Sequence, residues 1–154
     1  MKVAIASDHA GFELKQRLVG HLKTLGHEPL DLGTDGLDSV DWPDFGAACG
    51  RAVVEGQAER GITVCGSGLG IAMAAGKVPG VRVATCHDEW TAEMCRRHND
   101  ANVMSLGARI LGPQRAESMV EIFLTTPFDG GRHAPRVEKL NALDPTTATT
   151  GERS

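Results

Sequence analysis

Tyrosine is absent from this chain and aromatic residues make up only 4% of it, so any core must be mostly aliphatic. Positive charge is also short. Sixteen Lys and Arg against twenty Asp and Glu give a formal net charge of −4, which excludes the broad basic face that general nucleic-acid binding needs. A local arginine cluster for a phosphorylated small molecule is not excluded. No apolar run approaches the roughly 20 residues of a membrane span. The chain opens on a strand pattern, Lys2-Val3-Ala4-Ile5-Ala6, so no signal peptide is expected. The four cysteines, Cys49, Cys65, Cys86 and Cys95, contain no C-x-x-C spacing and read as reduced thiols of a cytoplasmic protein.

What is present is a regular alternation. Its 154 residues, 41% of them hydrophobic, suit one domain with one adequate core. Val3 to Ser7 reads as a strand, and Phe12 to Leu25 as a helix with Leu14, Leu18, Leu22 and Leu25 on one face, ended by Gly26. Pro29 to Leu32 is a short strand, followed by a Gly- and Asp-rich loop from Gly33 to Asp41. A helix begins near Pro43, where proline suits the first turn. Strands follow at Ile62–Val64, Val81–Thr85 and Asn102–Ser105, and helices at Leu69–Ala75, Glu89–Arg97, Pro113–Leu124 and Arg136–Leu143. Strand-helix units of about 30 residues predict an α/β fold: a three-layer α/β/α, Rossmann-like domain with a five-stranded parallel sheet and an extra C-terminal helix. That domain is expected over residues 1–143, with 144–154 a polar, disordered tail. Such folds bind ligands at the carboxyl ends of their strands.

The most informative run is Gly61-Ile62-Thr63-Val64-Cys65-Gly66-Ser67-Gly68-Leu69-Gly70-Ile71-Ala72. A β-branched stretch leads into glycines that permit a tight turn, and a helix begins at Leu69. Cys65 is thereby placed at the carboxyl end of a strand beside a helix N-terminus. Backbone N–H groups and the positive end of the dipole converge there. That setting stabilises a thiolate, or an oxyanion on a bound substrate. The glycines at 66, 68 and 70 are spaced G-x-G-x-G, so the dinucleotide fingerprint fails. No Gly-Lys-Ser/Thr occurs, and Cys stands where a nucleophile elbow needs Gly. The competing reading is a buried structural cysteine.

Other strand ends carry further candidates. Ser7-Asp8-His9-Ala10-Gly11 follows the first strand; Asp8 either caps the next helix or forms an acid/base pair with His9. The fourth helix ends in Arg96-Arg97-His98-Asn99-Asp100. A basic helix end suits the dipole in any protein, but His98 and Asn99 lead straight into a strand and could face a cleft. Arg109, Arg132 and Arg136 lie beside loop glycines or loop residues; each alone reads as surface charge, and together they suit a phosphate clamp. Cys86, His87 and Cys95 have no metal-ligand spacing.

Four of these segments together resemble the type B ribose-5-phosphate isomerase family, which also includes galactose-6-phosphate isomerase subunits. They are Ser7-Asp8-His9-Ala10-Gly11, Cys65-Gly66-Ser67-Gly68-Leu69-Gly70, Arg97-His98-Asn99-Asp100-Ala101-Asn102-Val103 and Gly130-Gly131-Arg132-His133. The resemblance covers about residues 1 to 143, in order. It implies an aldose–ketose isomerase of a phosphorylated pentose that needs neither metal nor organic cofactor. Cys65 is implied as the base moving a proton between C1 and C2; some members use a glutamate in this loop region, where this chain offers no carboxylate. His98 is implied as the proton donor for ring opening. Asp8, His9, Gly66, Ser67, Gly68, Leu69, Gly70 and Asn99 match substrate-contacting positions, and Arg109, Arg132 and Arg136 match phosphate-contacting ones. The family's sites are shared between two subunits, so a homodimer is implied, with room for a tetramer. Neither a nucleic acid nor a membrane is implied as a partner. Trp42, in Asp41-Trp42-Pro43, departs from the Tyr of many relatives, and the threonine-rich tail runs past the family's usual end.

Two other readings stand beside the pentose isomerase. One is the same machinery acting on a hexose 6-phosphate of the galactose or allose type. The other is a non-catalytic module that holds a sugar phosphate on the anion loop without turning it over.

Overall fold

The computed structural model describes residues 1–145. Five strands, β1 (Lys2–Ser7), β2 (Glu28–Asp31), β3 (Arg60–Cys65), β4 (Val83–Thr85) and β5 (Val103–Gly107), form one sheet in the order β2-β1-β3-β5-β4. Every pairing is parallel; Ile5 lies opposite Ile62, and Thr63 opposite Ser105. Pro29 is tolerated because β2 is an edge strand, where a missing N–H leaves no gap in the ladder. The expected five-stranded parallel sheet is therefore present.

Helices cover both faces. Helices α1 (Phe12–Thr24), α4 (Glu89–Arg97) and α5 (Pro113–Thr125) pack on one side, where Val3, Ile5, Ile62, Val64, Met104 and Leu106 point. Helices α2 (Trp42–Val54) and α3 (Leu69–Gly76) cover the other, over Ala4, Ala6 and Val103. The period-2 alternation of these strands thus feeds two separate aliphatic cores. A 3-10 turn (Gly131–His133) leads into α6 (Ala134–Asn141), which starts two residues before the expected Arg136 because Pro135 fits its first turn. Among the described residues no helix is long and apolar enough to cross a membrane.

Three details differ from the sequence reading. The apolar face of α1 stops at Leu22; Leu25 sits past the helix end and is exposed. Strand β4 starts at Val83 because the Val81 N–H turns back to the Val78 carbonyl. Lys15, inside α1, is fully buried and donates to both oxygens of Asp31 at 2.6 and 2.7 Å. An unpaired ammonium there would be costly, and the carboxylate at the end of β2 meets that demand. Of the expected tail, Asp144 accepts a hydrogen bond from the Gly80 N–H at 2.7 Å, and residues 146–154 lie outside the described residues.

The strand order places the functional region. From β1 the chain moves outward to β2 through α1, on one face. From β3 it moves the opposite way through α3, on the other face. The loops leaving β1 and β3 therefore diverge, and a crevice opens between their carboxyl ends, the usual ligand position of such sheets.

Candidate active site

A cleft of about 360 Å³ occupies that crevice, lined by Asp8, His9, Ala10, Trp42, Cys65, Gly66, Ser67, Gly70, Arg109 and Ile110. Seven sequence-predicted residues meet here: Asp8, His9, Cys65, Gly66, Ser67, Gly70 and Arg109. Asp8 does not cap α1, whose N-cap is Gly11 with no side-chain cap; its Oδ1 instead accepts from the Gly11 N–H at 3.1 Å, inside the turn that precedes the helix. It nevertheless borders the cleft. His9 accepts the Val40 N–H on Nδ1 at 3.2 Å, which leaves Nε2 to carry the proton of the neutral ring.

Around the thiol the backbone is closely specified. Gly68 has φ +78°, and a Cβ there would lie 2.8 Å from the Leu106 carbonyl carbon, so only glycine fits. Its N–H donates to Cys65 Sγ at 3.1 Å. The Cys65 and Gly66 carbonyls accept from the Ala108 and Arg109 N–H groups, tying the loop after β3 to the loop after β5. That tie carries the Arg109 guanidinium over Gly66, with Nη1 3.2 Å from where a Cβ would stand. The Trp42 ring lies against Gly70 in the same way, at 3.0 Å. Leu69 contributes through its backbone only: its side chain is 55% exposed and borders a different surface.

Access separates Cys65 from the other thiols. Burial pushes the Cys49 thiol up to about 12. Cys86 is driven upward by its hydrogen bond with Cys95 and by burial, while Cys95, the partner of that bond, is shifted down; both lie in the core beneath α4. Cys65 is the one that borders the cleft.

The remaining candidates are elsewhere. His98 is the residue closing α4, and α4 runs back against the strand direction, so His98 and Asn99 sit at the amino edge of the sheet. Five strand residues, Gly61 to Cys65, stand between that edge and the thiol. There His98, Asn99, His133 and Arg136 line a second cavity of about 250 Å³, with Val137 and Leu140. Arg132 is exposed on the neighbouring 3-10 turn. His98 and Asn99 thus face a cavity, as expected, but at the sheet edge opposite the Cys65 cleft.

This second cavity is built on a knot of charge. Asp100 has φ +48°. Its carboxylate accepts from Arg96 at 2.9 Å and Arg82 at 3.2 Å, and its carbonyl accepts from Arg82 Nε at 2.9 Å. Arg96 is buried and also holds the Ala101 and Thr126 carbonyls. The His98 and His133 rings stack at 4.3 Å between centroids. Burial, reinforced by the charges of His98, Arg132 and Arg136, holds His133 below its ordinary value and so favours its neutral form. Asp129 completes the one group of potential metal ligands among the described residues, its ligand atom and those of both histidines within 4.8 Å of one another. The geometry is unsuited to a shared ion. Rings only 12° from parallel direct their in-plane lone pairs side by side, and both Asp129 oxygens already accept from Arg97.

Sequence reasoning assigned no site role to Ile110 or His133, and Trp42 entered it only as a departure from the Tyr of many relatives that would alter a contact near the site. It also passed over Ser105 and Thr85, whose hydroxyls donate to the Gly68 carbonyl at 2.6 and 3.3 Å. The signal for Ser105 was a polar residue within the apolar strand Val-Met-Ser-Leu-Gly.

Known proteins resemble this chain in sequence and in fold. The family described as Ribose/Galactose Isomerase matches residues 3–140. Ribose-5-phosphate isomerase B of Clostridium thermocellum superposes with a TM-score of 0.91 and 48% identity, covering 92% of this chain and 96% of that one. Ribose-5-phosphate isomerase B of Escherichia coli is 38% identical over 143 residues, 93% of this chain and 96% of its own. D-erythrulose-4-phosphate isomerase of Pectobacterium atrosepticum is 36% identical over 141 residues, 91% of this chain and 93% of its own.

Proposed function

Since the chain belongs to the ribose/galactose isomerase family and is a sugar-phosphate isomerase, we propose that its reaction is the interconversion of ribose 5-phosphate and ribulose 5-phosphate. The observation that carries this reading is the cleft that sets the Cys65 sulfur, an N–H-lined glycine loop and Arg109 side by side. The enzyme relatives leave the non-catalytic module without support.

In the proposed reaction Cys65, as thiolate, removes the proton from C2 of the open-chain aldose. The electron pair moves into the C1–C2 bond, and charge develops on the oxygen at C1. Loop N–H groups stabilise that oxyanion, a contribution worth about 10²–10³ in rate for a single donor. The proton of the C2 hydroxyl passes to the oxygen at C1, the electron pair of the C1–C2 double bond takes the proton back from Cys65 at C1, and the carbonyl then stands at C2, completing the ketose. His98 gives up the proton that opens the sugar ring. Asp8, His9 and Asn99 hold substrate hydroxyls, and Arg109, Arg132 and Arg136 clamp the phosphate. The phosphate is remote from the reacting carbons, so its binding fixes their position. No step calls for a metal.

His98, Asn99, Arg132 and Arg136 reach the cleft in this scheme from a second copy of the chain, in a cytoplasmic homodimer. The surface of α3 supports such a partner. The helix is apolar on nearly every side, yet Met73 is 70% exposed, and with Leu69, Ala72 and Val83 it lines an open apolar groove directly beside the cleft. A helix apolar all round belongs in a buried setting.

The direct test compares catalytic efficiency on ribose 5-phosphate, galactose 6-phosphate, allose 6-phosphate and erythrulose 4-phosphate with a chelator present. Ribose 5-phosphate is expected to lead by about tenfold or more, the usual discrimination for one carbon unit. A clear preference for a six- or four-carbon substrate replaces the pentose assignment, and loss of turnover on chelation removes the metal-free mechanism.

A further inference from the structure

We infer that Ser105 is a positioning residue for the oxyanion-binding loop, with Thr85 as a second donor; the inference rests on the isomerase reading above. Ser105 lies in the middle of β5, fully buried, on the sheet face that carries α3. Its hydroxyl spends its proton on one acceptor, the Gly68 carbonyl, at 2.6 Å. Thr85, from the adjoining strand β4, adds a second and longer bond to the same oxygen at 3.3 Å.

Gly68 is the pivot of the loop. A trans peptide holds its C=O and the following N–H in opposite directions. Anchoring the Gly68 carbonyl into the sheet therefore turns the Leu69 N–H outward, where it meets the Ser67 hydroxyl at 3.2 Å on the wall of the cleft. On the other side of the same Cα, the Gly68 N–H points at the Cys65 sulfur. Rotation about ψ at Gly68 is what turns this peptide over, and glycine restricts that rotation less than any other residue, so something must choose its orientation. Two hydroxyl donors on the carbonyl make that choice, and they also polarise the amide whose N–H faces the reaction. Neither hydroxyl touches substrate. Thr63, opposite Ser105 on the same sheet face, provides an internal comparison, since its buried hydroxyl bonds to no described group.

The experiment measures Ser105→Ala and Thr63→Val against the parent homodimer, each checked for folding by thermal unfolding. Three quantities are read: kcat, KM, and the affinities for two probes, a five-carbon polyol phosphate resembling the ground state and a hydroxamate phosphate resembling the enediolate. For Ser105→Ala, kcat is expected to fall about 10–100-fold with KM nearly unchanged, and hydroxamate affinity to fall in step while polyol affinity holds. Thr63→Val is expected to behave as the parent. Equal weakening of both probes, an unchanged Ser105→Ala, or a matching loss in Thr63→Val overturns the positioning role. A parent protein that turns over none of the sugar phosphates and binds neither probe instead overturns the isomerase reading beneath it.

Discussion

Cys65→Ala is expected to lower kcat on ribose 5-phosphate by about 10²–10⁴-fold, the range of a lost general base, with little change in KM. The thiol is 5% exposed, so its removal takes little away from ground-state binding and leaves a void of one sulfur atom. What disappears is the group proposed to accept the C2 proton. Cys65→Ser separates position from basicity: it keeps the shape and the Gly68 N–H contact but offers an alkoxide that hardly forms near neutral pH, so it is expected to be almost as impaired. Exchange of solvent deuterium into substrate reads the same step independently of ketose formation and should be lost in parallel. If Cys65→Ala keeps activity within about tenfold of the parent, the base is another group on this cleft, and Asp8 and His9 are its ionisable side chains besides Arg109.

The second large effect is a gain. Cys65→Ala and His98→Asn are each expected to be nearly inactive as homodimers, and mixing them with subunit exchange is expected to restore about a quarter of parent activity. The arithmetic follows from two-fold assembly. Random pairing makes about half the dimers mixed, and each mixed dimer has one site free of either substitution. That recovery requires Cys65 and His98 of one site to come from different chains, as the proposed shared site has it; within one chain they line cavities at opposite sheet edges. A site completed within one chain gives no recovery at any mixing ratio. Parent-level activity in the His98→Asn homodimer would instead remove His98 from the ring-opening step.

The sequence was most legible where function depends on a short contiguous run. Cys65 through Gly70 announces strand, turn and helix within a few residues, and the turn can be built in few ways. Asp8 and His9 were found for the same reason. The sequence led His98 and Asn99 to a cleft without saying at which sheet edge, because a helix's direction relative to the sheet depends on the whole unit. Read locally, His98 and Asn99 precede a strand; seen in the fold, what precedes a parallel strand lies at its amino edge. Trp42 enters the cleft from the first turn of α2, whose placement is set by tertiary contacts, including its own ring against Gly70. Lys15 reads as one polar residue among many on a helix, and only the neighbouring end of β2 shows that it is buried on a carboxylate. Ser105 signals through strand polarity, yet its acceptor lies 37 residues away.

The left-handed Asp100, gripped by two arginines, bears on how this protein's tolerance to change is interpreted. In a saturation survey scored by activity, Asp100 and Arg96 would register as intolerant beside Cys65, although neither lines the thiol's cleft. Few side chains accept a positive φ, and fewer also satisfy Arg82 and Arg96. Sensitivity at such a residue measures architecture, and only a survey scored in parallel for abundance would separate it from chemistry. The most fastidious residues in such a map would therefore overstate the size of the catalytic apparatus.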